Sequence, residues 1–345
     1  MYGRELDRSA RCFVTGGMGF IGSHLVDRLW EHGCTITVYD TAAVKANRWW
    51  GDYRKGRLEF VQGDLRDSER LSQALAGHEV VFHLAAFTDT RASGTQRTAD
   101  LEQGTVATWH LLEAMQQQGV RDLVFTSSQL VYGDQQEMPL REYATPLLPV
   151  SLYGASKVAC EALIRAYSHL FGLRSVILRL SNIVGGRMKR GILRDFIHRL
   201  LENPERLEIL GDGEQARNYL LVDHAVDAFL CAHAGAPGEG CHVYNVGNLD
   251  TVRATEIARI VVEEMGLVGV TEIAAAGGRV GWAGDVPSLL SDLSRIRALG
   301  WSPGLNSAGC IRESVRRLQC DLAGAFMLRE TTPLVQLGNL PVVRG

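Results

Sequence analysis

Through the first half of the chain, short apolar runs alternate with stretches whose apolar residues recur every three to four positions. The runs Cys12–Thr15, Thr35–Tyr39, Leu58–Gln62, Val80–Leu84, Leu123–Thr126 and Ser175–Arg179 predict strands. The periodic stretches Gly22–Glu31, Ser68–Ala76, Leu101–Gln118 and Tyr153–Phe171 predict amphipathic helices. Strands that alternate with helices make βαβ units and a parallel sheet covered on both faces. The fold class is therefore α/β, with a doubly wound parallel sheet and right-handed crossovers.

Beyond Arg179 the rhythm loosens. Helical patterns at Ile192–Glu202, Val222–Ala234, Thr255–Met265, Leu293–Leu299 and Ile311–Leu318 mix with short strands near Glu208–Leu210 and His242–Val246. This predicts a smaller C-terminal lobe capping the carboxyl edge of the sheet. The division expected is residues 1–180 for the sheet domain, 181–327 for the smaller lobe and 328–345 for a tail. That tail carries Pro333 and Pro341 and has little periodicity. No internal repeat or low-complexity segment is present.

Composition adds mostly exclusions. The 345 residues are 46% hydrophobic and 22% charged, ordinary for a folded globular protein. A formal net charge of −3 gives no general pull toward nucleic acid or an anionic membrane. Basic residues do cluster at Arg187, Lys189, Arg190 and Arg194, either as a solvated helix edge or as an anion site. The seven cysteines are scattered, with no C-x-x-C pair, which argues against a disulfide framework and against a metal site. The charged first dozen residues have no apolar core of a secretion signal, and no run reaches the length of a membrane helix. The expectation is a cytoplasmic protein with reduced thiols.

The chemistry begins after the first strand. Gly16, Gly19 and Gly22 space the turn Thr15–Gly22 between that strand and the first helix. Glycines permit the tight turn and the close approach of a diphosphate, and the helix start offers free N–H groups. Phe20 and Ile21 complete this cradle. Asp40 ends the next strand, 18 residues beyond Gly22. A carboxylate there accepts from ribose hydroxyls and repels a 2′-phosphate, which selects NAD over NADP. Asp64 and Leu65 end the third strand, where the adenine would lie, and Leu84, Ala85 and Ala86 end the fourth with small residues. The pattern is that of a Rossmann domain.

Tyr153 and Lys157 stand four residues apart, hence on one helix face. A free phenol has a pKa of about 10, so ionising it at pH 7 costs roughly 4 kcal/mol. A neighbouring ammonium, together with a bound nicotinamide cation, is expected to favour the phenolate and lower that cost, so that the pair acts as base toward a sugar hydroxyl and as acid on the return. Thr126-Ser127-Ser128 ends the strand that starts at Leu123, and the Ser128 hydroxyl is the candidate to bridge substrate and phenol.

The segments TGGMGFIGSHL, GDLRD, HLAA, TSSQLVYG, SLYGASK, RLSNIVGG, ILGDGEQARNYLLVD, YNVGN and GWAGDVP together resemble the extended short-chain dehydrogenase/reductase family. Within it they are most similar to nucleotide-sugar epimerases of the UDP-glucose 4-epimerase type, over roughly residues 11–320. The resemblance implies a Rossmann sheet of about seven strands and a C-terminal lobe that binds a UDP-sugar. It also implies a homodimer built on helices such as Leu101–Gln118 and Tyr153–Phe171. It assigns catalysis to Ser128, Tyr153 and Lys157, and places Thr126, Tyr153 and Lys157 against the cofactor. Thr88, Ser128, Asn182, Arg217 and Asp285 would meet the substrate, with Asn182 and Arg217 at its diphosphate and Asp285 at its ribose. Three positions depart from the family pattern. Gly104 stands where many relatives have an asparagine, Arg279 lies six residues before Asp285, and Leu289 replaces a bulky tyrosine.

The resemblance implies a shared first step, in which Tyr153 deprotonates the C4 hydroxyl while hydride passes to NAD. A 4,6-dehydratase would need an Asp-Glu pair after the strand-tip hydroxyl, where this chain has Gln129 and Leu130. A UDP-glucuronate decarboxylase usually has glutamate at the second position. Epimerisation at C4 needs no such group and is the reading that remains. The alternatives are a nucleotide-sugar dehydrogenase or 4-keto reductase or a UDP-glucuronate decarboxylase of the same family, and a dinucleotide-sensing protein without chemistry.

Overall fold

The computed structural model of the protein describes residues 6–43, 56–88, 95–135, 138–277 and 288–327. Its first half runs β1 (Arg11–Thr15), α1 (Phe20–His32), β2 (Thr35–Asp40), β3 (Leu58–Gln62), α2 (Ser68–Leu75), β4 (Val80–His83), α3 (Ala107–Gln118), β5 (Asp122–Ser128), α4 (Leu152–Phe171) and β6 (Arg174–Leu180). The second half continues with β7 (Asn182–Val184), α5 (Ile192–Glu202), β8 (Arg206–Ile209), β9 (Ala216–Arg217), β10 (Tyr219–Leu221), α6 (Val222–Gly235) and β11 (Cys241–Val246). It ends with β12 (Val252–Arg253), α7 (Ala254–Glu264), β13 (Glu272–Ala275), β14 (Ser288–Leu289), α8 (Ser294–Arg297) and α9 (Ser307–Met327).

Seven strands form the main sheet in the order β3-β2-β1-β4-β5-β6-β11, and every pairing is parallel. This is the Rossmann arrangement, and its strand order reverses between β1 and β4. Alternation along the strands feeds two cores. Cys12, Val14, Ile36, Val38, Phe82 and Val124 pack under α1 and α6, beside Leu25, Leu29 and Phe229. Phe13, Tyr39, Val81, Leu123 and Phe125 point the other way, onto Leu71, Leu111 and Ile164 of α2, α3 and α4. Each fully buried side chain of this size contributes about 1.5–3 kcal/mol, so slipping one strand by a residue would forfeit several such terms.

One strand read with the smaller lobe belongs elsewhere. β11 pairs with β6 along its whole length and forms the seventh strand of the main sheet. The chain therefore leaves the sheet after β6, builds part of the second lobe, and returns. A third core fills that lobe, where Leu193, Phe196 and Ile197 of α5 meet Ile257 and Val261 of α7 and Ile311 and Val315 of α9. Its strands are short: β7 pairs with β10, β8 with β13, and β9 lies between β12 and β14. Helix extents differ from the pattern most clearly at two places. α9 starts four residues before Ile311, and the stretch ahead of α3 opens as a π-helix over Leu101–Val106.

Candidate active site

The carboxyl ends of β1 to β6 and the inner face of the second lobe enclose a cavity of about 1470 Å³. A crevice at the strand-order reversal is where open α/β sheets bind ligands. Its walls bring together Gly16, Gly19, Phe20, Ile21, Gly22, Asp40, Asp64, Leu65, Leu84, Ala85, Ala86, Thr88, Thr126, Ser128, Tyr153, Lys157, Asn182 and Arg217. Asp285 and Arg279 lie outside the described residues.

Gly16 has a left-handed φ of 69°, and a Cβ there would come within 2.7 Å of the Ala85 backbone nitrogen. A side chain would thus close the space between the ends of β1 and β4. Gly19 caps α1 without any side-chain hydrogen bond, so the first N–H groups of the helix stay open toward the cavity. Asp40 is tied into the same turn, accepting from the Met18 N–H at 2.9 Å and the Ala42 N–H at 3.0 Å. The Asp64 side chain turns to Arg66 at 2.8 Å, and that guanidinium holds its carboxyl below the ordinary range.

Behind this wall lies a hydrogen-bond chain that the sequence did not suggest. Thr108 donates to the Gly104 carbonyl at 2.7 Å, which leaves its oxygen to accept from His83 Nε2 at 2.9 Å. His83 Nδ1 then accepts from Thr15 Oγ1 at 2.7 Å, whose oxygen accepts the Leu84 and Ala85 N–H groups. Burial, with the Lys157 charge second, brings the His83 pKa down to about 3. His83 is accordingly a neutral strut. Gly104 sits on the same chain, and a Cβ there would collide with Ser156 Oγ. An asparagine at 104 would have to displace Ser156 Oγ, which donates to the Asp100 carbonyl at 2.7 Å.

Ser151 caps α4 by accepting from the Gly154 N–H at 3.1 Å, and this sets the helix that carries Tyr153 and Lys157. Of the three hydroxyls that end β5, Thr126 donates to the His83 carbonyl and Ser127 to Glu161 at 2.5 Å. Ser128 Oγ accepts from the Leu130 N–H at 3.2 Å and lines the cavity wall beside Tyr153. Lys157, 4% exposed, donates to the Thr126 carbonyl at 2.7 Å, and its Nζ lies 4.6 Å from the Phe125 ring centre and 5.7 Å from that of Tyr153.

These contacts correct the electrostatic expectation. Tyr153 is half-buried as a residue, but its phenol is enclosed, and desolvation raises its pKa above the ordinary value. Cys160 and Asp100 push the same way, and the nearby Ser128 hydroxyl opposes them. Burial likewise drives the Lys157 pKa down. Here the ammonium serves the Thr126 carbonyl, and burial outweighs its help to the phenol.

Other residues went unnoticed in the sequence. Glu161, four after Lys157, forms a bidentate pair with Arg179 at 2.6 and 3.0 Å, both nearly fully buried. That pair clamps α4 to β6 and, through Ser127, to β5. Asp100 is 3% exposed, and both its carboxylate oxygens lie buried without a hydrogen-bond partner. The basic cluster divides: Arg187 pairs with Asp27 at 2.6 Å and Arg194 with the Met188 carbonyl, whereas Lys189 and Arg190 are exposed on the cavity rim. Asn182 donates to the Asn218 carbonyl at 3.1 Å, and Leu289, 4% exposed, pairs with Arg217 across β14 and β9. Among the described residues the cysteines are all free, no helix is long and apolar enough to cross a membrane, and no cluster of three metal-ligating side chains occurs.

A model of the NAD dependent epimerase/dehydratase family matches residues 12–247. The UDP-glucose 4-epimerase of Mycolicibacterium smegmatis is 34% identical over 321 residues, covering 88% of this chain and 97% of that one. A crystal structure of a UDP-galactose 4-epimerase superposes with a TM-score of 0.78 at 37% identity, covering 90% of this chain and 99% of the other. A dTDP-glucose 4,6-dehydratase from Streptomyces venezuelae, solved with NAD bound, gives a TM-score of 0.81 at 28% identity and covers 91% and 98%. The chain belongs to the NAD-dependent epimerase/dehydratase family within the extended short-chain dehydrogenases/reductases, and its cofactor is NAD.

Proposed function

We propose that the protein inverts the configuration at C4 of a UDP-sugar. The observation that carries this reading is the wall beside Tyr153, where Ser128 is followed by Gln129 and Leu130. Neither side chain can give or take a proton, so elimination and decarboxylation have no acid–base group at that place. The 4,6-dehydratase relative therefore shares the frame without lending its reaction.

The glycine turn fits a dinucleotide, since Gly16 leaves a gap that any side chain would fill and the start of α1 points open N–H groups into the cavity. Gly16, Gly19, Phe20, Ile21 and Gly22 would hold the diphosphate. Asp40 would take the adenosine ribose with the lone pairs left by its two backbone contacts. Asp64 and Leu65 would border the adenine, and Leu84, Ala85, Ala86 and Thr126 the remainder of the cofactor. When bound, NAD supplies a reversible hydride acceptor, through a 4-keto sugar, and a positive charge that favours the phenolate. The protein's own part is proton handling. Tyr153 Oη takes the proton of the sugar hydroxyl, Ser128 Oγ bridges the two oxygens, and Lys157 supplies a fixed positive charge beneath the ring. Asn182 and Arg217 would meet the diphosphate, Arg217 with the planar fork suited to it. Thr88 would border the sugar, and Asp285 is assigned to the ribose by resemblance alone.

The protein would act as a homodimer joined through the outer faces of α3 and α4. The exposed apolar side chains Leu101 (56%), Trp109, Leu152, Leu170 (67%) and Phe171 on and beside these helices support that pairing.

The test is incubation of purified, NAD-loaded protein with UDP-glucose, UDP-galactose and their N-acetyl and uronate forms, followed by NMR of the anomeric protons. Interconversion at C4 in at least one pair, without net NADH, is expected. Net NADH accumulation would favour the dehydrogenase reading, and no reaction in any pair would remove the epimerase.

A further inference from the structure

The wall that carries Ser128 holds one more polar group, unused in the scheme above. Gln129 opens the short 3-10 turn Gln129–Val131, directly after Ser128. It is 3% exposed and lines the cavity with Ser128, Leu130 and Tyr153. Its side-chain amide nitrogen is buried and has no hydrogen-bond partner in the protein. Native interiors leave few such donors unmet, and those that remain need a reason. Nearby groups are already committed: Ser127 to Glu161, Thr126 to the His83 carbonyl, and Tyr132 to Asn245 at 2.7 Å.

We infer that Gln129 is a specificity-determining residue whose amide donates to an oxygen on a sugar carbon adjoining the one that reacts. This rests on the nucleotide-sugar reading above. Ser128 and Tyr153 converge on the reacting hydroxyl, so the next residue along the same wall faces the neighbouring substituent. The acceptor is a hydroxyl or carboxylate oxygen. A carboxamide suits this place because it stays neutral at every pH and holds oxygen without exchanging protons. A carboxylate at the same position would bind a hydroxyl as well but would also offer a route to elimination.

The experiment compares wild type with Gln129→Met, which keeps the length and removes the donor. Both are loaded with NAD, and Gln129→Ala is the second variant if the thioether disturbs folding. KM for UDP-glucose is expected to rise about tenfold with a smaller fall in kcat. The ligand-free variant should melt no lower than wild type, since an unmet donor has been removed, and the stabilisation that UDP-glucose adds beyond UDP should shrink. UDP-xylose, which lacks the C6 carbon, locates the acceptor. An unchanged KM assigns it to the C6 oxygen, and a parallel rise to the C3 hydroxyl. A ligand-free melting point that drops in both variants, with KM unmoved, would make the amide structural and overturn the inference. If UDP and UDP-glucose both fail to stabilise wild type, the nucleotide-sugar reading falls and takes this one with it. Equal stabilisation of wild type and variant removes the inference alone.

Discussion

Along the wall made by β1, β4 and α3, the hydroxyls of Thr15 and Thr108 and both nitrogens of His83 are engaged in one continuous chain. Across the cavity, on the turn after β5 and at the entry to β9, the amide nitrogens of Gln129 and Gln215 are buried without an acceptor. The hydrogen-bond chain of the first wall is complete before any ligand arrives, and the second wall has donors in reserve. A fixed wall suits a group that stays seated, because nothing must reorganise around it. A wall with uncommitted donors suits one that enters, turns and leaves. Changes on the reactive side should therefore appear in rate and KM, and changes behind the fixed wall in stability.

The sharpest break of that contrast is Tyr153→Phe. It removes the proton-transfer group and should lower kcat by about a thousandfold or more, while melting temperature and NAD content barely move. A variant that retained a tenth of the activity would displace Tyr153 from its role. Next comes Glu161→Ala, behind the site. Removing one partner of a buried ion pair strands the other, here Arg179, at a cost of about 3–5 kcal/mol. Chemical denaturation should report a loss of that size. A loss under 1 kcal/mol would mean that the clamp between α4 and β6 is dispensable.

Much of this contrast was legible in the chain, and the missing part has a physical cause. The central strands were visible because a strand buried on both faces reads as a continuous apolar run, as Val80-Val81-Phe82 does, whereas the half-exposed edge strand β3 reads as a short mixed run. β11, Cys-His-Val-Tyr-Asn-Val, is a mixed run that begins about sixty residues after β6, most of them in the second lobe, and nothing local says which sheet it joins. The cavity-lining positions were legible because glycines and small residues at strand ends have few other uses. The His83 strut, Asp100 and the Glu161–Arg179 pair were not, because their roles depend on partners 18 to 68 residues away in the chain. A signal existed for Glu161, a carboxylate on the same face of α4 as Lys157 with Ile164 below it. The expectation for Tyr153 counts a nicotinamide cation as well as the ammonium, and burial, which i,i+4 spacing does not measure, works against both.

His83 sharpens the comparison through pH. The folded protein keeps it neutral down to about pH 3, whereas an unfolded chain takes up the proton near 6.5. Between those values the unfolded state binds more protons, so stability falls as the pH is lowered, by at most about 1.4 kcal/mol per unit from this group. Its contribution is complete above pH 6.5. His83→Gln keeps a donor and an acceptor but cannot titrate. The stability gap between wild type and variant should narrow steadily from pH 7 to pH 4 in denaturation curves. A gap that stays constant would mean that His83 takes up its proton in the fold as readily as in the unfolded chain.

The smallest effect concerns Gly104, where the fixed wall meets the π-helix. A methyl group there meets Ser156 Oγ, so Gly104→Ala should cost about 1–2 kcal/mol by overpacking, although alanine favours helix over glycine by about 1 kcal/mol. Ser156→Ala alone removes the bond to the Asp100 carbonyl and should cost a similar amount. In the double variant the clash loses its partner, and the helix preference of alanine is recovered. The two changes should therefore cost less together than their sum, by about 1 kcal/mol in a double-mutant cycle. Strict additivity would show that Ser156 does not occupy the space an asparagine would need. The departure from the family pattern at 104 would then lack its steric explanation, and Asp100, whose carbonyl Ser156 holds, would become the next residue to test.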